Sequence, residues 1–584
     1  MSRLDRLTLL TLALASTMAL LSRPGFAAPQ SSPSGAGRAF DLQAFIDAAL
    51  ARGSKRIVVP PGRYRVTPRD RQHLVLRDLK DIQIIADGVE MVCTETTRAL
   101  SIGNCTGVTV RGLTIDYDPL PFTQGRITAL APDKRIHDIE LFAGYPAADT
   151  ALTFKYEMFR PDTRTYRCGE YSIKSLEKLD PKHLRITRPD GKPEDPERVG
   201  DIIAIGSEYA PHGSIPHTVE VAASKGVRLE GITVYASNCF AFVEFNCDGT
   251  TYCRCKVDRR PPATDLVPRA DPRIRSLNAD AFHSICAAKG PAYIECAARF
   301  MGDDCINICG SYHLVTAAQG RAIRVLSQQR DGTINIATGD RVELLSYSGM
   351  RLPDAQVVSL EPDTEVTDAE RQFIAQQGMD AGIKEYLAHA KTFRITLDRD
   401  VDLPMGSAIC STSRTGNGFV VRGCNFGFNR SRGILVKGSD GVIEGNTMTG
   451  NVMAAIMVAP EWWWLESGSS NNVRIINNTI RDCGDVAIAV YAFGGHPPVA
   501  PAGAHNNITV TGNAMTGCPL PTVLVTSTKG LCLGRNTSRS FEGKAVSEWT
   551  RWVFGLRDQK PEPTMTLNCA DVRRLGESGH GTDG

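Results

Sequence analysis

Two things are scarce in this 584-residue chain, a charge of one sign and long apolar runs, and each scarcity excludes a class of function. The 66 basic side chains nearly match the 64 acidic ones, for a formal charge of +2. Setting aside residues 1–27, where Arg3, Arg6 and Arg23 outnumber Asp5, brings that charge to zero. Nucleic-acid binding normally leaves a basic patch in the composition, so no nucleic-acid partner is expected. Neutrality also gives no sign of a polyanionic substrate, although it leaves room for a local basic cleft. The one long apolar stretch, Leu7 to Leu21, is shorter than the roughly 20 residues that a membrane-spanning helix needs. Preceded by Arg3 and Arg6 and followed by Gly25-Phe26-Ala27, it has the three-part layout of a secretory signal peptide. The expectation is a secreted or periplasmic protein without stable membrane insertion. Zinc spacing is missing too: Cys253-x-Cys255 has no second pair to complete a site. The 17 cysteines, odd in number and spread over a long chain, read as small buried residues or a few disulfides.

What the chain does have is repetition. Short β-rich phrases recur, VTVRGLTID from Val108, VRLEGITVY from Val227, FVVRGCNF from Phe419 and VRIINNTI from Val473 among them. Four share an apolar-x-x-Asn core, at Asn446, Asn478, Asn513 and Asn536. Each phrase is too short to bury a core alone, so the solution is stacking of coils, strand above strand, with asparagine amides pairing in the turns. We expect an all-β fold, a right-handed parallel β-helix with two inserted small β-barrel-like domains. The boundaries read as a signal peptide at 1–27, a cap helix and first coils at 38–125, an inserted β-rich domain at 126–217 and coils at 218–311. A second inserted β-rich domain follows at 312–412, then coils at 413–540 and a tail at 541–584.

The chemistry concentrates in two phrases, Asn278-Ala-Asp-Ala-Phe-His-Ser-Ile-Cys and Gly302-Asp-Asp-Cys-Ile-Asn-Ile-Cys. A one-coil offset of 23 places Asp280 over Asp303, Phe282 over Cys305 and Cys286 over Cys309, with Asp304 beside the pair. Neighbouring strands lie about 4.8 Å apart, so three carboxyls converge. Like charges that close cannot all ionise, which leaves a protonated acid beside an ionised base, the arrangement that glycosidic cleavage uses. Asp304 in a regular strand would face the interior, and a bend at Gly302 would relieve this. A calcium site or turn-capping aspartates are the alternative reading of the cluster.

Those two phrases, with Ile115-Asp-Tyr-Asp-Pro-Leu-Pro-Phe-Thr-Gln-Gly125, the strand Arg432-Gly-Ile-Leu-Val-Lys437 and Glu461-Trp-Trp-Trp-Leu-Glu466, resemble the GH110 family of exo-acting α-1,3-galactosidases from about residue 38 to 540. More distantly, GDDCI at Gly302 to Ile306 resembles the polygalacturonases. The resemblance implies a β-helix with inserted barrels that removes a terminal α-1,3-linked galactose with inversion, Asp280, Asp303 and Asp304 being the catalytic carboxylates. The polygalacturonase Gly-His-Gly motif is missing and RGILVK replaces its uronate-holding Arg-x-Lys, which suits a neutral sugar better. Close-set carboxyls ordinarily indicate retention, since inverting enzymes hold theirs about 6.5–9.5 Å apart, yet polygalacturonases invert with close aspartates.

Further substrate-binding candidates are His283 and Asn307 beside the aspartates, Arg432 and Lys437 as donors to sugar hydroxyls, Trp464 as an aromatic face for galactose and Glu466 as a hydroxyl acceptor. Asp116, Asp118 and Gln124, on the way into the first insertion, are expected to border the pocket. The implied substrate is an oligosaccharide or glycoconjugate ending in α-galactose. No metal or organic cofactor is required, and a homo-oligomer is compatible with the sequence. The rival readings are a β-helix hydrolase or lyase of a pectin-like polymer and a non-catalytic carbohydrate-binding solenoid.

Overall fold

The computed structural model describes residues 40–147, 155–206, 216–329, 331–495, 499–540 and 544–576, without the side chains of 168–170. The signal-peptide segment lies outside the described residues. The helix Leu42–Ala51 starts at Asp41, whose side chain accepts the Ala44 N–H, and buries Leu42, Ile46 and Ala49. The chain then winds into parallel coils whose strands stack into three sheets of 12, 12 and 11 strands, a parallel β-helix. We call them the first sheet (beginning Arg56–Val58), the second (beginning Gly62–Val66) and the third (beginning Gln72–Arg77).

One corner explains the sequence phrases. Between the first and second sheets a single left-handed residue turns the chain: Gly231, Arg254, Glu295, Gly423, Gly445, Asn477, Gly512 and Arg535 in successive coils. The next residue points inward and forms a ladder, Cys255, Cys296, Cys424, Asn446, Asn478, Asn513 and Asn536. Asn446 Nδ2 donates to Asn478 Oδ1 at 3.0 Å, Asn478 to Asn513 at 2.9 Å and Asn513 to Asn536 at 3.0 Å. The Cys424 N–H donates to Asn446 Oδ1, so the thiol ladder runs directly into the amide ladder. All 16 described cysteines are free thiols, and none is disulfide-bonded. Aromatic rings stack in the same register inside the coils, Phe242 on Phe282 at 4.9 Å and Tyr252 on Tyr293 at 5.0 Å.

The two insertions leave from the other two corners. Between the second-sheet strand Thr114–Tyr117 and the third-sheet strand Val219–Ala222 lies a seven-stranded antiparallel sheet built from Phe122–Leu130 to Ile202–Gly206. Ile127, Ile139, Tyr156, Met158, Leu184, Ile186, Ile203 and Ile205 form its core. Between the third-sheet strand Ile306–Ser311 and the first-sheet strand Val420–Arg422 lies a closed six-stranded barrel, His313–Gln319 to Ala408–Ser411, carrying helices Asp368–Gln376 and Ala381–Leu387. The third sheet is therefore flanked along both edges. The tail needs correction: residues beyond 540 continue the helix, with Thr564–Leu567 parallel to Val523–Thr526 and Arg573–Leu575 parallel to Cys532–Gly534. Its phrases lack the Asn signature, so the repeat is not visible in the sequence there.

Replacing Asn478 by Ala should remove the acceptor that the Asn446 Nδ2 and backbone N–H share, and one of the two donors to Asn513 Oδ1, the residue-478 backbone N–H remaining as the other. We expect a stability loss of about 1–3 kcal/mol, read as a lower urea midpoint at unchanged slope.

Candidate active site

The corner between the second and third sheets carries the acids. Asp280 immediately precedes the strand Phe282–Ile285, and Gly302, Asp303 and Asp304 bend ahead of the strand Ile306–Ser311. The expected register is corrected here: Phe282 pairs with Ile306 and His283 with Asn307, an offset of 24 rather than 23 residues. Asp304, not Asp303, thus lies beneath Asp280, and its backbone N–H donates to Asp280 Oδ1 at 3.0 Å. A slip of one residue exchanges the faces of a strand, so the doublet divides. Asp304 is buried, while the Asp303 side chain is 28% exposed. Oxygens of all three carboxyls lie within 4.8 Å of one another. The bend requires Gly302, since a Cβ there would stand 2.5 Å from Asn278 O.

Cations surround the cluster. Arg430 meets Asp303 Oδ2 at 2.6 Å, and the Arg432 guanidinium meets Asp304 Oδ2 at 2.8 Å. The Arg432 backbone N–H donates to Asp304 Oδ1 at 2.7 Å. Burial and the charges of Asp303, Asp280 and Glu461 hold the Asp304 carboxyl well above the ordinary carboxylate range, with Arg432 opposing. Burial also raises Asp280, aided by Asp303 and opposed by its contact with His283. Burial alone would raise Asp303, but Arg430, Arg432 and Lys155 outweigh it and bring its carboxyl below the ordinary value. The three titrate as one set, in which Asp303 ionises first and the proton rests on the Asp280–Asp304 pair.

A second group adjoins the first. His283 Nδ1 lies 2.7 Å from Asp280 Oδ2, and its Nε2 is 3.9 Å from Glu466 Oε1. Glu466 Oε2 accepts from Lys437 Nζ at 2.7 Å and from Asn307 Nδ2 at 3.0 Å. Lys437, fully buried, also donates to Asn307 Oδ1 at 3.0 Å and lies 3.2 Å from Glu461, which in turn is 3.3 Å from Arg432. Burial would raise Glu466, yet Lys437 and His283 bring it down to about 2. Six expected residues, His283, Asn307, Arg432, Lys437, Glu466 and the aspartates' own Asp280, therefore share one network. Two triplets have the spacing for a cation, the three aspartates and His283–Cys309–Glu466. The neighbouring Arg430, Arg432 and Lys437 already supply the opposing charge that such an ion would bring.

Glu461 and Glu466 reach the third sheet because residues 459–468 leave the corner after Ile456–Val458 and fold back, with Glu466–Ser467 antiparallel to Gly310 and Ser311. The tryptophan run Trp462–Trp464 folds as one 3-10 turn. Its side chains diverge by rotation. Trp462 is buried against the barrel with Nε1 donating to Gly406 O at 2.9 Å, and Trp463 stacks on Phe493 at 5.0 Å. Trp464 is 42% exposed and stands apart from the cavity that Trp463 lines. With Arg432, Glu461, Tyr491, Phe493 and the tail's Trp549 and Trp552, Trp463 lines a cavity of about 440 Å³.

Three other expected residues are committed elsewhere. The buried Asp116 carboxylate is held by Arg273 at 2.9 Å and Arg260 at 3.0 Å. Asp118 pairs with Arg65 at 2.7 Å near the surface. Gln124 clamps the chain, donating to Pro272 O and accepting the Ile274 N–H. Their acidity or polarity reflects anchoring of the first insertion. Sequence reasoning missed Arg430, Glu461, Trp463 and the tail tryptophans. Arg430-x-Arg432 carries a visible signal, two cations on the turn one coil below an aspartate doublet, whereas Trp549 and Trp552 carry none.

A family model described as a right handed beta helix region matches residues 386–543. An alpha-1,3-galactosidase A of Bacteroides fragilis is 22% identical over 575 residues, covering 89% of this chain and 87% of the relative. An alpha-1,3-galactosidase A of Bacteroides thetaiotaomicron is 24% identical over 451 residues, covering 71% and 70%. Among solved structures, the catalytic domain of a GH87 alpha-1,3-glucanase in complex with nigerose shares 11% identity at a TM-score of 0.38, covering 94% of this chain and 68% of that one. A mannuronan C-5 epimerase A-module of Azotobacter vinelandii shares 12% identity at a TM-score of 0.36, covering 92% and 94%.

Replacing Lys437 by Met would leave Glu461 and Glu466 facing each other without their common cation. Breaking a buried pair on one side costs about 3–5 kcal/mol, so the variant should unfold at markedly lower urea, and Lys437→Met combined with Glu466→Gln should recover part of the loss.

Proposed function

We propose that the protein is an exported, exo-acting glycoside hydrolase that removes terminal α-1,3-linked galactose from oligosaccharides or glycoconjugates with inversion. The observation that carries this reading is the divided carboxyl set: Asp303 is open and held ionised by Arg430, while the buried Asp280–Asp304 pair holds a proton. Asp303 acts as general base toward water, and the proton for the leaving oxygen comes from the Asp280–Asp304 pair. The resemblance of the DAFHS and GDDCINI phrases and the names of the Bacteroides relatives support galactose as the cleaved sugar. The cavity beside Arg432 supplies an aromatic face in Trp463 and polar groups in Arg432 and Glu461, which suits the apolar face and hydroxyls of galactose. His283, Asn307 and Glu466 position hydroxyls or water, with Lys437 fixing Glu466. Gly378 of the second insertion lines the aromatic cavity, which supports a groove closed on that side, as exo action demands.

Asp303→Asn should lower kcat on α-1,3-galactobiose by about 10²–10⁴-fold at an unchanged thermal midpoint, and full activity in this variant would refute the assignment. NMR of the first turnovers should show β-galactose, whereas α-galactose would indicate retention. Activity in the wild type should rise with pH as Asp303 ionises, below the ordinary carboxylate range, and fall as the raised Asp304 loses its proton, giving a bell with widely separated limbs. Inactivation by a chelator together with an unsaturated product would replace hydrolysis by elimination.

A further inference from the structure

A second cavity, of about 620 Å³, lies on the far side of the same row of turns: Met453 lines the aromatic cavity, Asn451 and Val452 line this one. It is joined to the acid-bearing turn through two buried asparagines. Asn451 Nδ2 donates to Asn429 Oδ1 at 2.6 Å, and Asn429 Nδ2 donates to the Asp303 carbonyl at 2.7 Å. The Tyr166 hydroxyl, on its wall, donates to Met301 O at 3.1 Å, two residues before Asp303.

The lining is unusual for a neutral chain, with Arg160, Arg164, Arg259 and Lys544 against the single carboxylate of Asp482. Its floor is a stacked pair, Phe300 on Phe428, centroids 5.3 Å apart and planes 14° apart. The Arg259 guanidinium lies 3.6 Å from the Phe300 ring centroid. The carboxylate of Asp258, its chain neighbour, accepts the Arg259 backbone N–H and pairs with Arg299 at 3.0 Å and Lys256 at 3.3 Å rather than with the Arg259 guanidinium. Arg164 donates to Pro272 O at 2.7 Å, and its Nε is buried without a hydrogen-bond partner among the described residues. Arg160 donates to Tyr166 O at 2.6 Å and to the Thr165 hydroxyl, and Lys544 to Gly517 O at 3.0 Å. These cations are anchored by neutral partners, so their charge faces the cavity. Planar guanidinium groups match the oxygens of carboxylates and sulfates, and the stacked rings offer a surface for a sugar ring.

We propose that this cavity binds an anionic sugar, bearing a sulfate ester or a carboxylate, on the leaving-group side of the scissile bond. The proposal rests on the α-galactosidase reading and narrows it: the cleaved sugar is neutral, the unit it is released from is acidic. The shared chemistry is a tetrahedral or planar oxyanion on a galactose-sized ring.

The test measures kcat/KM for α-1,3-galactobiose, for the same disaccharide sulfated on its reducing unit and for one whose reducing unit is a uronate. In the wild type at low salt at least one charged substrate should exceed the neutral one about tenfold, through KM, and added sodium chloride should erase the difference. Whichever charged substrate gains identifies the source of the oxyanion. In Arg259→Gln the charged-to-neutral ratio should fall toward one, and Arg259→Lys should restore part of it. A wild-type ratio of one, or an unchanged ratio in a folded Arg259→Gln, overturns the proposal. Calorimetric titration of the two charged disaccharides into Asp303→Asn separates the two claims. Binding that Arg259→Gln abolishes supports the cavity even if no α-galactoside is hydrolysed, whereas hydrolysis of the neutral disaccharide without such binding overturns the cavity and leaves the reaction standing.

Discussion

The ladder of backbone hydrogen bonds between coils is the constraint on which the site depends. It fixes the vertical spacing of the third sheet, and at one rung that spacing places Asp304 under Asp280, with the Asp304 N–H donating to the upper carboxylate. Neither side chain can move away without breaking the stack. Crowding of charge is thus imposed by the backbone, and the side chains around it respond.

The response is a chain of opposed charges that runs from Arg430 through the Asp303–Asp304 doublet to Arg432, Glu461, Lys437 and Glu466. Its members come from two coils and from one excursion of a third that folds back over Gly310 and Ser311. Buried ionic networks contribute little net stability compared with apolar packing, so their value here lies in setting distinct proton affinities on chemically equal carboxyls. The aromatic stack of Phe242 on Phe282 beneath the same strands keeps the floor rigid while these charges balance above it.

Much of this was legible in the sequence, and what was not has physical causes. The later coils announce themselves through the residue after the left-handed corner, an inward position that carries cysteine or asparagine from Cys255 to Asn536, whereas Ile232 stands there in an earlier coil. The aspartates announce themselves through their spacing, but 23 residues between Asp280 and Asp303 misled the register by one, since a bend at Gly302 adds a residue that spacing alone does not display. Glu466, Lys437, Asn307 and His283 were accessible because they lie on or beside repeat phrases. Trp463 rather than Trp464 lines the cavity because a 3-10 turn rotates successive side chains by about a third of a circle, a rotation that an unbroken tryptophan run does not display. Asp116 and Gln124 have the composition of site residues and the environment of anchors. Trp549 and Trp552 stand far along the chain, where no pattern connects a tail helix to a distant cavity.

Both insertions leave the coil at corners, between strands rather than within them. A corner absorbs any length of chain without altering the pitch of the rungs above and below, and the rims meet the floor through side-chain contacts such as Tyr166 to Met301 O. A rim can change in length while the acid-bearing rungs stay as they are.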